Sequence, residues 1–266
     1  MDAPIFVVDA FASREFTGNP AGVCLLPRPA SKAWMQRVAA EMKHAETAFL
    51  SPTAGGFRLR WFSPTTEVDL CGHATLASAH VLWETGAVPL RGEARFFTRS
   101  GPLTAVRRAP FIELDFPADP CTEVNAPALL KEAIGGKFRF VGQNRFDYLI
   151  ELDSPQHLRT LKPDFEKIAA VGGRGVIVTS RPDLRGFDFL VRFFAPASGV
   201  PEDPATGSIQ CALGPYWSDK LDEKRVRSFQ ASARGAVLEA EPAGDRVHIY
   251  GRAVTVLHGK LRAGPS

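Results

Sequence analysis

The sequence predicts an α+β fold of two pseudo-symmetric domains, each a curved sheet or barrel wrapped around one central helix. Three observations predict it. First, the chain repeats itself once. In RWFSPTTEVDLCGHATLASA (60–79) and RFFAPASGVPEDPATGSIQCA (192–212), Arg60, Phe62, Pro64 and Val68 match Arg192, Phe194, Pro196 and Val200; after one inserted residue, Ala74-Thr75 meets Ala205-Thr206. A repeat of about 130 residues is domain-sized rather than solenoid-sized. Second, ATLASAHVLW (74–83) is apolar on nearly all sides and rich in small residues, as a helix wrapped by sheet must be. Third, short β-rich runs with Gly and Pro turns fill most of the remainder.

The elements follow in the same order in both halves. MDAPIFVVDAF reads as a first strand, because Asp9 interrupts its apolar run and it has no basic start of the kind a signal peptide carries. The strand AGVCLL is matched by DYLIEL, and the helix SKAWMQRVAAEMK by PDFEKIAAVG. Trp34, Val38 and Met42 fall at i, i+4 and i+8 on one face of the first of these helices, with Ser31 as its N-cap. AFLSPTAGGF is matched by VIVTSRPDLRGF, and FTRSGPLTAV by FQASARGAVL. This alignment puts Arg174 opposite Glu46. The counterpart of the first central helix, TGSIQCALGPYW, is expected to be shorter, because Gly214-Pro215 should break it. The Pro-rich stretch 116–127 reads as the linker. The domains are therefore drawn as 1–117, completed by the strand 253–262, and 126–252, with the active cleft expected between them.

Of 266 residues, 45% are hydrophobic and 23% charged, and the net charge is +3, which excludes extensive disorder and gives no support for nucleic-acid binding. No apolar run reaches the ~18 residues of a membrane span. The four cysteines, Cys24, Cys71, Cys121 and Cys211, form no C-x-x-C pair. A cytoplasmic protein with reduced thiols is the expectation. G-x-G-x-x-G and Walker A motifs are missing, so nucleotide cofactors have no support, and there is no G-x-S-x-G nucleophile elbow.

If the two halves pack about a pseudo-twofold axis, the segments before the two central helices face one cleft. They are Leu70-Cys71-Gly72-His73 and Glu202 through Ser208, with Asp203-Pro204 opening the second helix. Helix starts offer unpaired N–H groups to an anion such as a carboxylate. Glu46 follows the first amphipathic helix on its inward side, flanked by Ala45, Thr47, Ala48 and Phe49. A poorly solvated carboxyl of this kind suits a group that takes and returns a proton. His73 and His80 are seven apart and can share a helix face, but neither has a further ligand nearby in the H-E-x-x-H manner, so no metal is expected. Asp203 reads as a helix cap or as a holder of a substrate amine or hydroxyl. Cys71, beside a helix start, reads as structural or as a base or nucleophile.

At these residues the chain resembles the phenazine-biosynthesis isomerase (PhzF-like) family, which shares its fold with diaminopimelate epimerase and proline racemase. The resemblance lies in DAFASREFTGNPAGV, AEMKHAETAFL, RWFSPTTEVDLCGHATLASAHVL, EDPATGS and VHIYGRAVTVLHGKL, in order from end to end. It implies a diaminopimelate epimerase-like fold, a homodimer, and a cofactor-independent isomerase acting on a small carboxylic acid. In the family the matching glutamate moves a proton between carbons of a cyclic dihydro-hydroxyanthranilate. The implied catalytic residues are Glu46, His73 and Asp203, and the implied substrate-binding residues are Gly72, Gly207 and Ser208. Two departures stand out. Cys71 occupies the place where the epimerases keep a catalytic thiol and the phenazine enzymes have none. FQASARG lacks the first glycine of the family's Q-G run. A Cys71-dependent racemase or epimerase and a non-catalytic metabolite-binding protein are the alternatives.

Overall fold

The computed structural model describes residues 3–262. The chain forms two units of similar construction: residues through Asp115 together with those from Tyr250 onward, and Phe116–Ile249.

In the first unit the strands are β1 (Ala3–Ala10), β2 (Asn19–Leu25), β3 (Glu46–Thr53), β4 (Gly56–Phe62), β5 (Glu67–Val68), β6 (Ala94–Thr98), β7 (Gly101–Arg108) and β8 (Phe111–Pro117), with a closing strand Ala253–Leu261. The closing strand pairs with β1, and β1 with β2, both antiparallel. Then β2–β3 is parallel, β3–β4 antiparallel, β4–β6 parallel and β6–β7 antiparallel. Parallel neighbours need a crossover. Helix α1 (Lys32–Met42) supplies the first, and α2 (Gly72–Glu84) lies within the second. Helix α1 is capped as its sequence predicts: the Ser31 hydroxyl accepts the Trp34 N–H. Its apolar face packs Trp34 and Val38 with Phe49 and Phe62. Helix α2 is buried from His73 to Trp83 except at His80 and lies against β1, β2, β3 and the closing strand.

The second unit contains β9 (Thr122–Glu123), α3 (Ala128–Ile134), β10 (Phe138–Gln143), β11 (Asp147–Leu152), α4 (Pro155–Thr160), α5 (Phe165–Val171), β12 (Gly175–Ser180), β13 (Phe189–Phe194), α6 (Gln210–Leu221), β14 (Val226–Gln230), β15 (Ala236–Ala243) and β16 (Arg246–Gly251). From β10 to β15 the pairings alternate antiparallel, parallel, antiparallel, parallel, antiparallel, as they do from β1 to β7. The matched Arg-x-Phe pairs explain part of the repeat. Arg60 forks onto Glu67 at 2.6 and 2.8 Å and lies over the Phe62 ring. Arg192 forks onto Glu202, both contacts 2.7 Å, and lies over the Phe194 ring. Each fork ties a strand to the chain leading toward a central helix, with the bidentate geometry that makes Arg and carboxylate a specific pair.

Three sequence expectations need correction. Helix α6 is not cut at Gly214-Pro215 but runs to Leu221. Proline removes the N–H that would bond the carbonyl four residues back. That carbonyl, of Cys211, accepts the Asp119 N–H at 3.0 Å instead, so no buried acceptor is stranded. Asp203-Pro204 does not open α6, which begins at Gln210. The Asp203 carboxylate accepts the Thr206 hydroxyl, while Gln230 donates to the Asp203 carbonyl at 2.7 Å and accepts the Thr206 N–H at 2.9 Å. These bonds hold the segment as a loop. Lastly, the counterpart of Glu46 is Gly175, not Arg174. Thr47 pairs with Phe62 and Val176 with Phe194, and Phe62 and Phe194 are equivalent. A strand shifted by one residue turns its side chains to the opposite face, and the registry settles the position.

Candidate active site

The first unit gathers Asn19, Glu46, Cys71 and His73. The chain reaches Asn19 through a tight loop: buried Asp9 accepts the Phe16 N–H at 2.7 Å, and Gly18 has φ +67°. A Cβ on Gly18 would lie 2.1 Å from the Ala10 carbonyl oxygen, so only glycine fits there. Helix α1 ends at Lys43, in the left-handed conformation, and the chain turns into β3, whose first residue is Glu46. Cys71 is the N-cap residue of α2 and His73 its second helical residue.

The Glu46 carboxylate oxygen lies 3.4 Å from His73 Nε2, with side-chain exposures of 18% and 7%. On the other side of the ring, Nδ1 is 3.4 Å from Asn19 Nδ2 and 3.5 Å from Cys71 Sγ. An amide nitrogen only donates, so with Asn19 at Nδ1 the neutral imidazole carries its proton on Nε2, facing Glu46. Burial, assisted by the charge of His44, pushes the His73 pKa down to about 3. At neutral pH His73 is therefore an uncharged donor facing the Glu46 carboxylate.

That depression makes a prediction. Below about pH 6.5 the unfolded chain protonates His73, whereas the folded chain resists until about pH 3. The unfolded state binds more protons across that window, so stability falls as pH falls through it. Denaturant titrations between pH 6 and pH 4 should show wild type losing about 1 kcal/mol per pH unit more than His73→Gln. Parallel curves would show that His73 is not buried neutral.

The sequence offers His73 no further ligand in the H-E-x-x-H manner, and the fold brings two other groups to it. One ligand atom each from Glu46, Cys71 and His73 lies within 4.8 Å of the others. An O, S and N set of that kind is of a type that can hold a zinc-like ion. The other histidine, His80, lies two turns further along α2 and bonds Thr255 at 3.2 Å.

In the second unit, Gly207 is buried and Ser208 half-buried, on the turn just before α6. The Ser208 hydroxyl accepts from Arg174 Nη1 at 2.9 Å. Asp203 is half-buried in the loop pinned by Gln230. The position equivalent to Glu46 has no side chain and no room for one: a Cβ on Gly175 would meet the Phe194 carbonyl oxygen at 2.6 Å and the Phe193 ring at 2.7 Å. Cys211 is buried, and burial pushes its thiol up to about 12. Among the described residues, then, the second unit repeats neither the Glu46 carboxylate nor a reactive thiol. Sequence reasoning did not single out Asn19, Asp147 or Gln230. Asn19 stood inside FTGNPAGV and Gln230 inside FQASARG, but polar residues beside Gly or Ala in short runs read as turn formers.

The comparisons with known proteins agree with this construction. Residues 8–259 match the family model described as phenazine biosynthesis-like protein. A protein of Halalkalibacterium halodurans named as an uncharacterized isomerase is 51% identical, over 98% of this chain and 99% of that protein. The crystal structure of a PhzF-family phenazine biosynthesis protein of Enterococcus faecalis superposes with a TM-score of 0.94 at 36% identity, covering 98% of this chain and 99% of that one. A probable proline racemase from Agrobacterium radiobacter shares the fold alone, with a TM-score of 0.61 at 13% identity over 99% of this chain and 94% of that one. The chain belongs to the phenazine biosynthesis-like (PhzF) family of isomerases.

Proposed function

We propose that this isomerase moves a proton between carbons of a small, cyclic carboxylic acid without a cofactor, with Glu46 as the acid and base. The observation that carries the reading is the contact between the mostly buried Glu46 carboxylate and a histidine held neutral by burial, its proton directed at Glu46 by Asn19. A neutral imidazole N–H can polarise a substrate oxygen or steady the carboxylate without competing for the proton. The family resemblance extends the reading to Asp203 as an aid to proton movement and to the N–H groups of Gly72 and Gly207 and the Ser208 hydroxyl as holders of a substrate carboxylate. A cytoplasmic homodimer is part of the same reading and rests on the family resemblance. The test is to incubate cyclic hydroxy and amino acids with the enzyme in D₂O and follow the carbon-bound hydrogens by NMR. Deuterium entering at carbon supports the reading, and no exchange with any acid that binds overturns it.

A second reading, a Cys71-dependent racemase, is favoured by one observation: Cys71 Sγ lies 3.5 Å from His73 Nδ1. Against it, a two-thiol mechanism has no partner in the second unit, where Cys211 is buried with its thiol pushed up to about 12. Cys71→Ala is expected to slow deuterium exchange by less than about tenfold, short of the roughly 10²-fold that marks loss of an acid–base group. A larger loss would transfer the proton-carrying role to the thiol.

A further inference from the structure

Arg174 is held by several contacts, with about a third of its side chain left exposed (33%). Its backbone N–H donates to the Phe146 carbonyl at 2.6 Å, and its charged head lies 5.6 Å from the Phe146 ring and 5.3 Å from the Phe193 ring. Nε donates to Asp147 Oδ1 at 2.9 Å and Nη2 to Oδ2, forming a fork on a carboxylate that is 1% exposed. Asp147 is held in turn, since its N–H donates to Asn144 Oδ1 at 2.7 Å. The fork leaves Nη1 to donate to Ser208 Oγ at 2.9 Å.

We propose that Arg174, anchored by Asp147, is a positioning residue that occupies one acceptor site of the Ser208 hydroxyl, presents its proton to the substrate and so selects substrates with an anionic group. Guanidinium nitrogens donate and never accept. The Ser208 oxygen therefore accepts from Arg174, and its own proton is turned toward whatever else meets it. A cation 2.9 Å behind that oxygen strengthens the O–H as a donor and favours a negative partner over a neutral or positive one. Lysine in place of Arg174 would lose the planar fork, and with it the direction of the third bond. This inference rests on the reading that Ser208 touches the substrate acid.

The experiment compares binding of anthranilate and anthranilamide, which differ in the charge of one group, to wild type, Arg174→Met, Ser208→Ala and the double variant by calorimetry. Wild type should prefer the carboxylate. Arg174→Met should cut that preference about 10- to 100-fold, the size of a hydrogen bond to a charged group. Ser208→Ala in the Arg174→Met background should change it little further, because the two residues act as one device. Arg174→Met leaves Asp147 buried without its cation, so Asp147→Asn/Arg174→Met serves in its place if the single variant does not fold. Equal wild-type affinity for the two probes, an unchanged preference in the Arg174 variants, or additive effects of the two substitutions would overturn the proposal. If the preference depends on Arg174 but D₂O exchange fails, the isomerase reading falls and this inference stands.

Discussion

Glu46→Gln is expected to fold as wild type does and to exchange carbon-bound hydrogen with D₂O about 10²- to 10⁴-fold more slowly. Glutamine keeps the length of the side chain and leaves an oxygen to accept from His73 Nε2, 3.4 Å away in the wild-type structure. What it removes is the ability to hold a proton between the two halves of the reaction. His73 cannot substitute, because a group with a pKa of about 3 is almost never charged at neutral pH. The second unit cannot substitute through the matching position, because Gly175 is walled in by Phe193 and the Phe194 carbonyl. Glu46→Asp should also be slow, since withdrawing the carboxylate by one methylene displaces it by about 1 Å, and misplacement on that scale costs roughly 10²-fold. A melting temperature near that of wild type would separate lost chemistry from lost structure. Exchange by Glu46→Gln within about threefold of wild type, far from the 10² expected of an acid–base group, would remove Glu46 from the mechanism.

Much of this was legible in the sequence, for a physical reason. A duplicated module must bury a helix inside its sheet twice, so the small apolar helix and the Arg-x-Phe strand before it recur. The first helix start was legible as well, because Gly72 and His73 lie within a regular element. Glu46 stood out because a carboxylate flanked by Ala45, Thr47, Ala48 and Phe49 follows α1 at the head of an apolar strand. The second site was harder to read. Nothing in Asp203-Pro204 says that Gln230, 27 residues on, will pin the loop and delay α6 to Gln210. Pro215 looked like a breaker because the Asp119 N–H that relieves its carbonyl is remote in sequence. The one-residue error that put Arg174 opposite Glu46 arose because apolar runs such as AFL and VIV align equally well in two registers. Hydrogen-bond pairing fixes the register, and composition does not.

The largest effect on stability is expected from Lys220→Met, at about 3 kcal/mol. Glu151 stands on β11 with its side chain 0% exposed, and its Oε2 accepts from both Lys220 Nζ and the Tyr216 hydroxyl on α6. Its Oε1 is buried without a hydrogen-bond partner. Burial and the neighbouring carboxylate push the Tyr216 hydroxyl well above its ordinary range, so it remains a donor. A phenol alone does not neutralise a buried carboxylate, so removing the ammonium leaves a charge that water cannot reach. Methionine keeps an unbranched apolar chain of similar length but removes the ammonium, which lies 5.2 Å from the Tyr216 ring centre and 5.4 Å from that of Trp217. The loss should appear as a Tm lower by about 6–12 °C in thermal denaturation followed by circular dichroism. Glu151→Leu/Lys220→Met should recover most of it, because removing both charges removes the desolvation cost along with the attraction. If Lys220→Met melts within about 2 °C of wild type, less than 1 kcal/mol at this size, the pair contributes specificity at most, and α6 is held to the sheet by the aromatic contacts of Phe140 on β10 with Tyr216 and of Phe189 on β13 with Trp217.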